Sequence, residues 1–271
     1  MLDDLYYNII DDIDEVEVTY GDCNDSFYSR EIEIPPIVSN NGKLYRVTHI
    51  GEEAFLTCKS LVSITLNEGI IKIDDYAFKL CESLENIILP SSLQKIGKEA
   101  FCGCYNLKSI HIPENVNSIS PDCFIYCSIL SNITVSAKNK FYNDGTNGNC
   151  IISNNDSILI IGATKSIIPL NVSTIGEFAF FGRDSLTQID FPESLKVLEG
   201  QAFADCENLT CLFFPKSIER IDPSAFSGCS KLSNISVHNE NPWYYDGYGS
   251  NCVISKKNNT LIIGSNYTKI P

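Results

Sequence analysis

Seven phenylalanines set the terms on which this chain can fold: Phe55, Phe78, Phe101, Phe124, Phe180, Phe203 and Phe226. Five of the six intervals between them equal the step from Phe55 to Phe78, and the sixth, from Phe124 to Phe180, is more than twice as long. A fixed period in the range of roughly 20–50 residues marks a stacked-coil architecture, in which one repeat cannot bury its own apolar side chains and neighbours must do so. Other apolar columns keep register with the ring. Five residues before it stand Ile50, Ile73, Ile96, Ile119, Ile175, Leu198 and Ile221; nine after it come Ile64, Ile87, Ile110, Ile133, Ile189, Leu212 and Ile235. Eleven after it come Leu66, Leu89, Ile112, Val135, Phe191, Phe214 and Val237. The last two columns differ by two, the strand period, so their side chains share one face of a short parallel strand. Pro90, Pro113, Pro192 and Pro215 end that strand where no ladder donor is needed. The Ile-Gly-x-x-Ala-Phe stretch, small Ala beside bulky Phe, predicts a tight helical or 3-10 turn that drops the ring inward.

The long interval contains a second repeat. Cys150 is matched by Cys252, and each lies in an insertion that lengthens a normal coil by the same amount. Each insertion reads as an aromatic Asn/Asp/Gly loop followed by two β-branched runs around a polar turn, which predicts a β-hairpin. Residues 1–48 lack the repeat. Tyr6 to Ile10 and Glu15 to Tyr20 read as a hairpin around DDID, and Glu31 to Ile34 as an edge strand. A polar cover over the first coil is what an open end of such a stack requires.

The recurring phrase L-x-x-I-x-I-P-x-x-V-x-x-I-G-x-x-A-F-x-x-C resembles the BspA-type leucine-rich repeat, over about Val47 to Val237. Departures are local: Cys123 stands in place of Ala, Arg183 in place of the repeat cysteine, and Asn67, Ser136 and His238 in place of Pro. The expected fold is an α/β leucine-rich-repeat solenoid: a β-dominated right-handed coil stack with parallel strands on the concave face, short helical or 3-10 turns and two β-hairpin insertions. The expected organisation is one continuous domain, with an N-terminal β cap at 1–48 and repeats at 49–271 that carry hairpins at about 136–168 and 238–270.

Twelve cysteines are many for 271 residues. Six of them, Cys58, Cys81, Cys104, Cys127, Cys206 and Cys229, fall three residues after a repeat Phe, as a buried packing layer would. Side chains stacked in parallel do not meet disulfide geometry, so free thiols are expected there. Cys23, Cys102, Cys123, Cys150, Cys211 and Cys252 follow no metal-ligand spacing, and no metal or cofactor is expected. Whether these six pair is left open.

A net charge of -14, with 20 basic against 34 acidic residues, argues against nucleic acid as a partner. No apolar run approaches the roughly 18 residues that a spanning helix needs, so no membrane span is expected. The first residues lack the pattern of a secretory signal. The family resemblance implies an extracellular or cell-surface location; the missing signal and the thiols leave a cytoplasmic assembly scaffold as the alternative.

No catalytic motif emerges, and His49, His111 and His238 fall at different phases of the repeat. The expectation is a monomeric, non-enzymatic scaffold that binds a host or matrix protein. Strand alternation turns Ile88, Lys108, His111, Asn132, Gln188, Asp190, Phe213 and Asn234 outward as the partner-binding set, with Ile88 and Phe213 as apolar anchors. The aromatic loops offer a second possibility. Tyr142, Trp243, Tyr244 and Tyr245 could form a sugar platform, or Asp144 and Asn147 could bind calcium. Their common register in both insertions favours packing against the coil instead.

Overall fold

The fold is described from a computed structural model, over residues 5–10, 14–20, 31–146, 148–265 and 268. Residues 11–13 of the DDID turn, Cys23, Asn147 and the last Ile-Pro pair lie outside these residues. The chain divides into two compact units, residues 1–142 and 143–271.

In the first unit two parallel ladders form, one for each strand of the repeat. Glu15–Thr19, Lys43–Ile50, Lys72–Ile73, Lys95–Ile96 and Ser118–Ile119 pair in that order, so Ile50, Ile73, Ile96 and Ile119 stack in register. Glu31–Ile34, Ser63–Leu66 and Asn86–Ile88 form the second ladder, and Ser109–Ile112 pairs with Asn132–Val135. Tyr6–Ile10 closes an antiparallel hairpin on Glu15–Thr19. The N-terminal cover therefore behaves as an irregular coil: Glu15–Thr19 extends one ladder, and Glu31–Ile34 the other, with Ile32 and Ile34 aligned on Ile64 and Leu66. Between them lies a hairpin that the sequence reading omits, Ile37–Asn40 against Lys43–Ile50. Its turn is Asn41-Gly42, both at positive φ (52° and 80°), as a two-residue hairpin loop demands.

In the second unit the hairpin Cys150–Ser153/Ile158–Gly162 joins the ladder Thr174–Ile175, Val197–Leu198, Arg220–Ile221. Cys211–Phe214 pairs with Asn234–Val237, and Tyr244–Tyr245, Cys252–Ser255 and Leu261–Gly264 form the last antiparallel sheet.

Among the described residues there is no helix. The Ile-Gly-x-x-Ala-Phe stretch differs from the helical or 3-10 expectation for a specific reason. Within it, backbone N–H groups alternate between two destinations. Ala54, Leu56 and Cys58 donate back to Gly51, Glu53 and Phe55 of their own coil; Glu53, Phe55 and Thr57 donate forward, to the carbonyls of Asp75, Ala77 and Lys79 in the next. The following coil repeats this from Tyr76, Phe78 and Leu80. A helix sends every amide along its own axis; here half are spent on the neighbouring coil. Alternation requires left-handed backbone, and the residue two after each Phe has positive φ in all seven coils: Thr57, Leu80, Gly103, Tyr126, Gly182, Asp205 and Gly228. Glycine at three of these removes the side-chain penalty.

The rings stack like the strands. Phe55, Phe78, Phe101 and Phe124 lie with centroids 5.1, 5.2 and 5.1 Å apart, and Phe180, Phe203 and Phe226 at 4.7 and 5.2 Å. This is close to the roughly 4.8 Å spacing of paired strands, so the coil backbone sets the stacking distance. The six repeat cysteines are free thiols, as are the other described cysteines. This column has a polar role beyond packing. Cys81 donates its thiol hydrogen to the carbonyl of Phe55, and Cys104, Cys127, Cys206 and Cys229 do the same to Phe78, Phe101, Phe180 and Phe203, at 3.1 to 3.2 Å.

Arg183 holds the same column in the coil after the first insertion, where it is fully buried and donates through Nε to the carbonyl of Gly162 at 3.0 Å. Gly162 takes the place of a ring there. A Cβ on it would lie 2.1 Å from the Phe180 ring, so only glycine lets that ring close against the hairpin.

Candidate functional site

All eight outward strand residues singled out from alternation are exposed, with Ile88 at 61% and Phe213 at 51%. The alternation arises because Ile64, Ile87, Ile110 and Ile133, or Ile189, Leu212 and Ile235, take the inward face. In the first unit Ile88, Lys108, His111 and Asn132 occupy three successive strand segments. Two are tied to the neighbouring coil: Lys108 Nζ pairs with Glu85 at 2.7 Å, and His111 Nδ1 lies 2.9 Å from Thr134 Oγ1.

In the second unit the four remaining residues converge. Gln188, Asp190, Phe213 and Asn234 line one depression of ≈ 260 Å³, floored by Ile189, Phe191 and Leu212. Gln188 donates its side-chain amide to Asp190 at 3.3 Å, and the Phe213 ring stands edge-on to His238 at 6.3 Å. The result is an aromatic wall over an apolar floor, with an amide, a carboxylate and a second amide at the rim. Such a surface is suited to contact and hydrogen bonding, and Cys211 and Ser236 complete its lining.

The aromatic loops divide into two kinds of residue. Tyr142 and Tyr244 are buried, at 9% and 8% exposure, so their faces are closed to a ligand. Their hydroxyls finish the ladders. Tyr244 accepts the N–H of Ile221 and donates to the carbonyl of Glu219, both at 3.3 Å, standing in for the backbone of a further coil. Tyr142 donates likewise to the carbonyl of Asn117, and burial raises its phenol above the ordinary range. Buried Asn139 and Asn241 brace these loops: each accepts two loop N–H groups through Oδ1 and donates through Nδ2 to carbonyls of the preceding turn. As sugar-platform residues Tyr142 and Tyr244 are thereby excluded, while Trp243 remains half exposed. Tyr245 is partly exposed, and its ring meets that of Tyr248 at 5.7 Å. Tyr248, 94% exposed, had no signal in repeat phase or strand alternation.

Asp144, the other proposed calcium ligand, accepts the N–H of Thr146 at 3.1 Å in a turn. No group of three or more His, Cys, Asp or Glu suited to a metal occurs among the described residues. No helix among them is long and apolar enough to cross a membrane.

A family model described as "BspA type Leucine rich repeat region" matches six copies, over residues 24–153 and 161–271. Among solved structures, a leucine-rich repeat protein from Eubacterium ventriosum is 21% identical with a TM-score of 0.57, across 86% of this chain and 70% of that one. The pneumococcal vaccine antigen PcpA is 17% identical with a TM-score of 0.50, across 87% and 80%. A leucine-rich repeat protein from Bacteroides capillosus is 29% identical across 51% of this chain and 97% of its own, with a TM-score of 0.46. No curated protein matches the chain. For the Eubacterium ventriosum protein and PcpA the likeness is one of fold.

Proposed function

The chain belongs to the BspA-type leucine-rich repeat family, and on that premise we propose that it is a monomeric, non-enzymatic scaffold that binds a host or matrix protein at the cell surface through its strand face. The strands are taken as the concave side of a right-handed coil stack, as the family resemblance implies. The observation that carries the proposal is the depression around Phe213, where Gln188, Asp190 and Asn234 ring a half-exposed aromatic over an apolar floor. Protein hot spots have this anatomy: an aromatic anchor that is desolvated on binding, inside a polar rim that excludes water. The net charge of -14 disfavours acidic partners and favours association with basic ones through long-range steering.

The thiols do not oppose a surface location. Cys104, Cys206 and Cys229 are hydrogen-bonded to carbonyls, and burial holds them in the unreactive protonated form.

The test is retention of the full chain on immobilised extracellular-matrix and host surface proteins, beside Phe213→Ser and Asp190→Lys. Loss of at least tenfold in affinity with either variant, at unchanged stability, is the expected result. Retention no greater than that of an unrelated acidic repeat protein across the whole panel would count against it.

A further inference from the structure

The two insertions are copies of one another, and where they differ is informative. Positions that are buried and hold the hairpin to the coil are the same in both: Asn139 and Asn241, Tyr142 and Tyr244, Cys150 and Cys252, Ile152 and Ile254. Beside the second insertion lies a cleft of ≈ 470 Å³, whose lining includes Asn239, Tyr245, Asp246, Tyr248, Lys256 and Asn259. At five of these six positions the first insertion has a different residue: Ala137, Asn143, Thr146, Asn154 and Ser157. The backbone is shared, with φ of 58° at Thr146 and 59° at Tyr248. Folding the loop therefore does not call for tyrosine or for these amides.

From this cleft we infer that the second insertion binds a neutral oligosaccharide. Its volume falls within the roughly 300–1,000 Å³ of small-ligand sites, which combine apolar walls with a few convergent polar groups. The walls are the Tyr245 and Tyr248 rings, tilted at 55° to one another and able to receive the C–H face of a pyranose. Both hydroxyls and the side-chain amides of Asn239 and Asn259 make no hydrogen bond to the described residues. Each amide offers donors and an acceptor, as a sugar hydroxyl pair requires. The one carboxylate, Asp246, accepts the N–H of Gly249 at 3.3 Å, and the one ammonium, Lys256, donates to the carbonyl of Asn241 at 2.5 Å. His238 also lines the cleft, and with its imidazole neutral the formal charge of the lining cancels, which gives an ionic ligand no net attraction there. An apolar peptide side chain would cover both amides without pairing them; a polyhydroxylated ring satisfies them.

The experiment is a printed array of neutral and charged glycans, followed by calorimetric titration of the full chain with the strongest neutral binder. Tyr248→Thr and the triple exchange Tyr245→Asn, Tyr248→Thr, Asn259→Ser carry residues that the first insertion already tolerates, so folding is preserved. The expected outcome is a roughly tenfold loss with Tyr248→Thr and abolition with the triple exchange. No retention of neutral glycans at millimolar concentration, retention of charged ones alone, or undiminished binding by the triple exchange would overturn the inference. None of these outcomes bears on the strand-face partner.

Discussion

Stability of this chain is expected to collapse in mild alkali, through its buried thiols. Burial pushes Cys150 and Cys229 up to about 12 from an ordinary 9.0, and drives Cys104 and Cys206 well above it, because a thiolate in the coil interior loses its hydration. A raised folded value means that the folded state keeps a proton which the unfolded chain gives up. The stabilisation is then complete below pH 9 and is lost as pH rises from 9 toward the folded values. Each thiol contributes a slope of about 1.4 kcal/mol per pH unit in that window, so four remove about 5–6 kcal/mol by roughly pH 10. Against a typical total of about 5–15 kcal/mol this is between about a third and all of the stability. Burial of Tyr142 adds in the same direction only above pH 10. The assay is urea denaturation at intervals from pH 7.5 to 10.5, anaerobically with a phosphine reductant to exclude oxidation. Cys102, which burial pushes up to about 11, joins these four, so stability should be level up to pH 8.5 and then fall with a limiting slope of at least five protons. Cys104→Ala should reduce that slope by one proton while lowering the neutral-pH plateau. Stability that changes by less than about 1 kcal/mol between pH 8.5 and 10 would refute the reasoning.

Two further substitutions probe the junctions between coil and insertion. Gly162→Ala sets a methyl group against the Phe180 ring, whose partner Phe203 leaves it no room to withdraw, and should cost about 1–3 kcal/mol by urea midpoint. Asn241→Ala removes bonds from Nδ2 to Pro215, Lys216 and Ile218 carbonyls and frees the N–H groups of Trp243 and Tyr244. At about 1–3 kcal/mol for each buried group left unsatisfied, the second hairpin should lose its protection in hydrogen exchange before the coils do.

What sequence alone could deliver was set by repetition. Each ladder column recurs seven times at one phase, so Ile50, Phe55 and Ile64 could be placed inward and Phe213 or Asn234 outward without coordinates. The hairpins were legible for the same reason, since two copies, one around Cys150 and one around Cys252, identify each other. The coil turn was not, because its conformation depends on where each amide finds its acceptor, and half of those acceptors belong to the following coil. A single repeat therefore reads as helical. The thiol column was correctly placed inside, but its hydrogen bond to a carbonyl one coil back leaves no trace in composition. The Asn41-Gly42 hairpin has its signal in that dipeptide, but it lies outside the repeat and has no second copy to identify it. The saccharide cleft needed the fold, because Asn239, Tyr248 and Asn259 are spread along the whole insertion and meet only when the hairpin closes.

The forward reach of the turn amides also governs how such a chain can change length. Each turn amide that leaves its coil counts on a carbonyl a fixed distance ahead in the chain, each repeat thiol on one a fixed distance back, and each ring on a ring one repeat away. Removing or duplicating a whole repeat cassette leaves each group facing an equivalent partner, whereas gaining or losing one residue misdirects three amides, a ring and a thiol together. Growth of the molecule is thus quantised. New sequence can enter only as complete coils, or at the seam after a strand, where both insertions are found and where a tyrosine hydroxyl has already taken over the duty of the missing backbone.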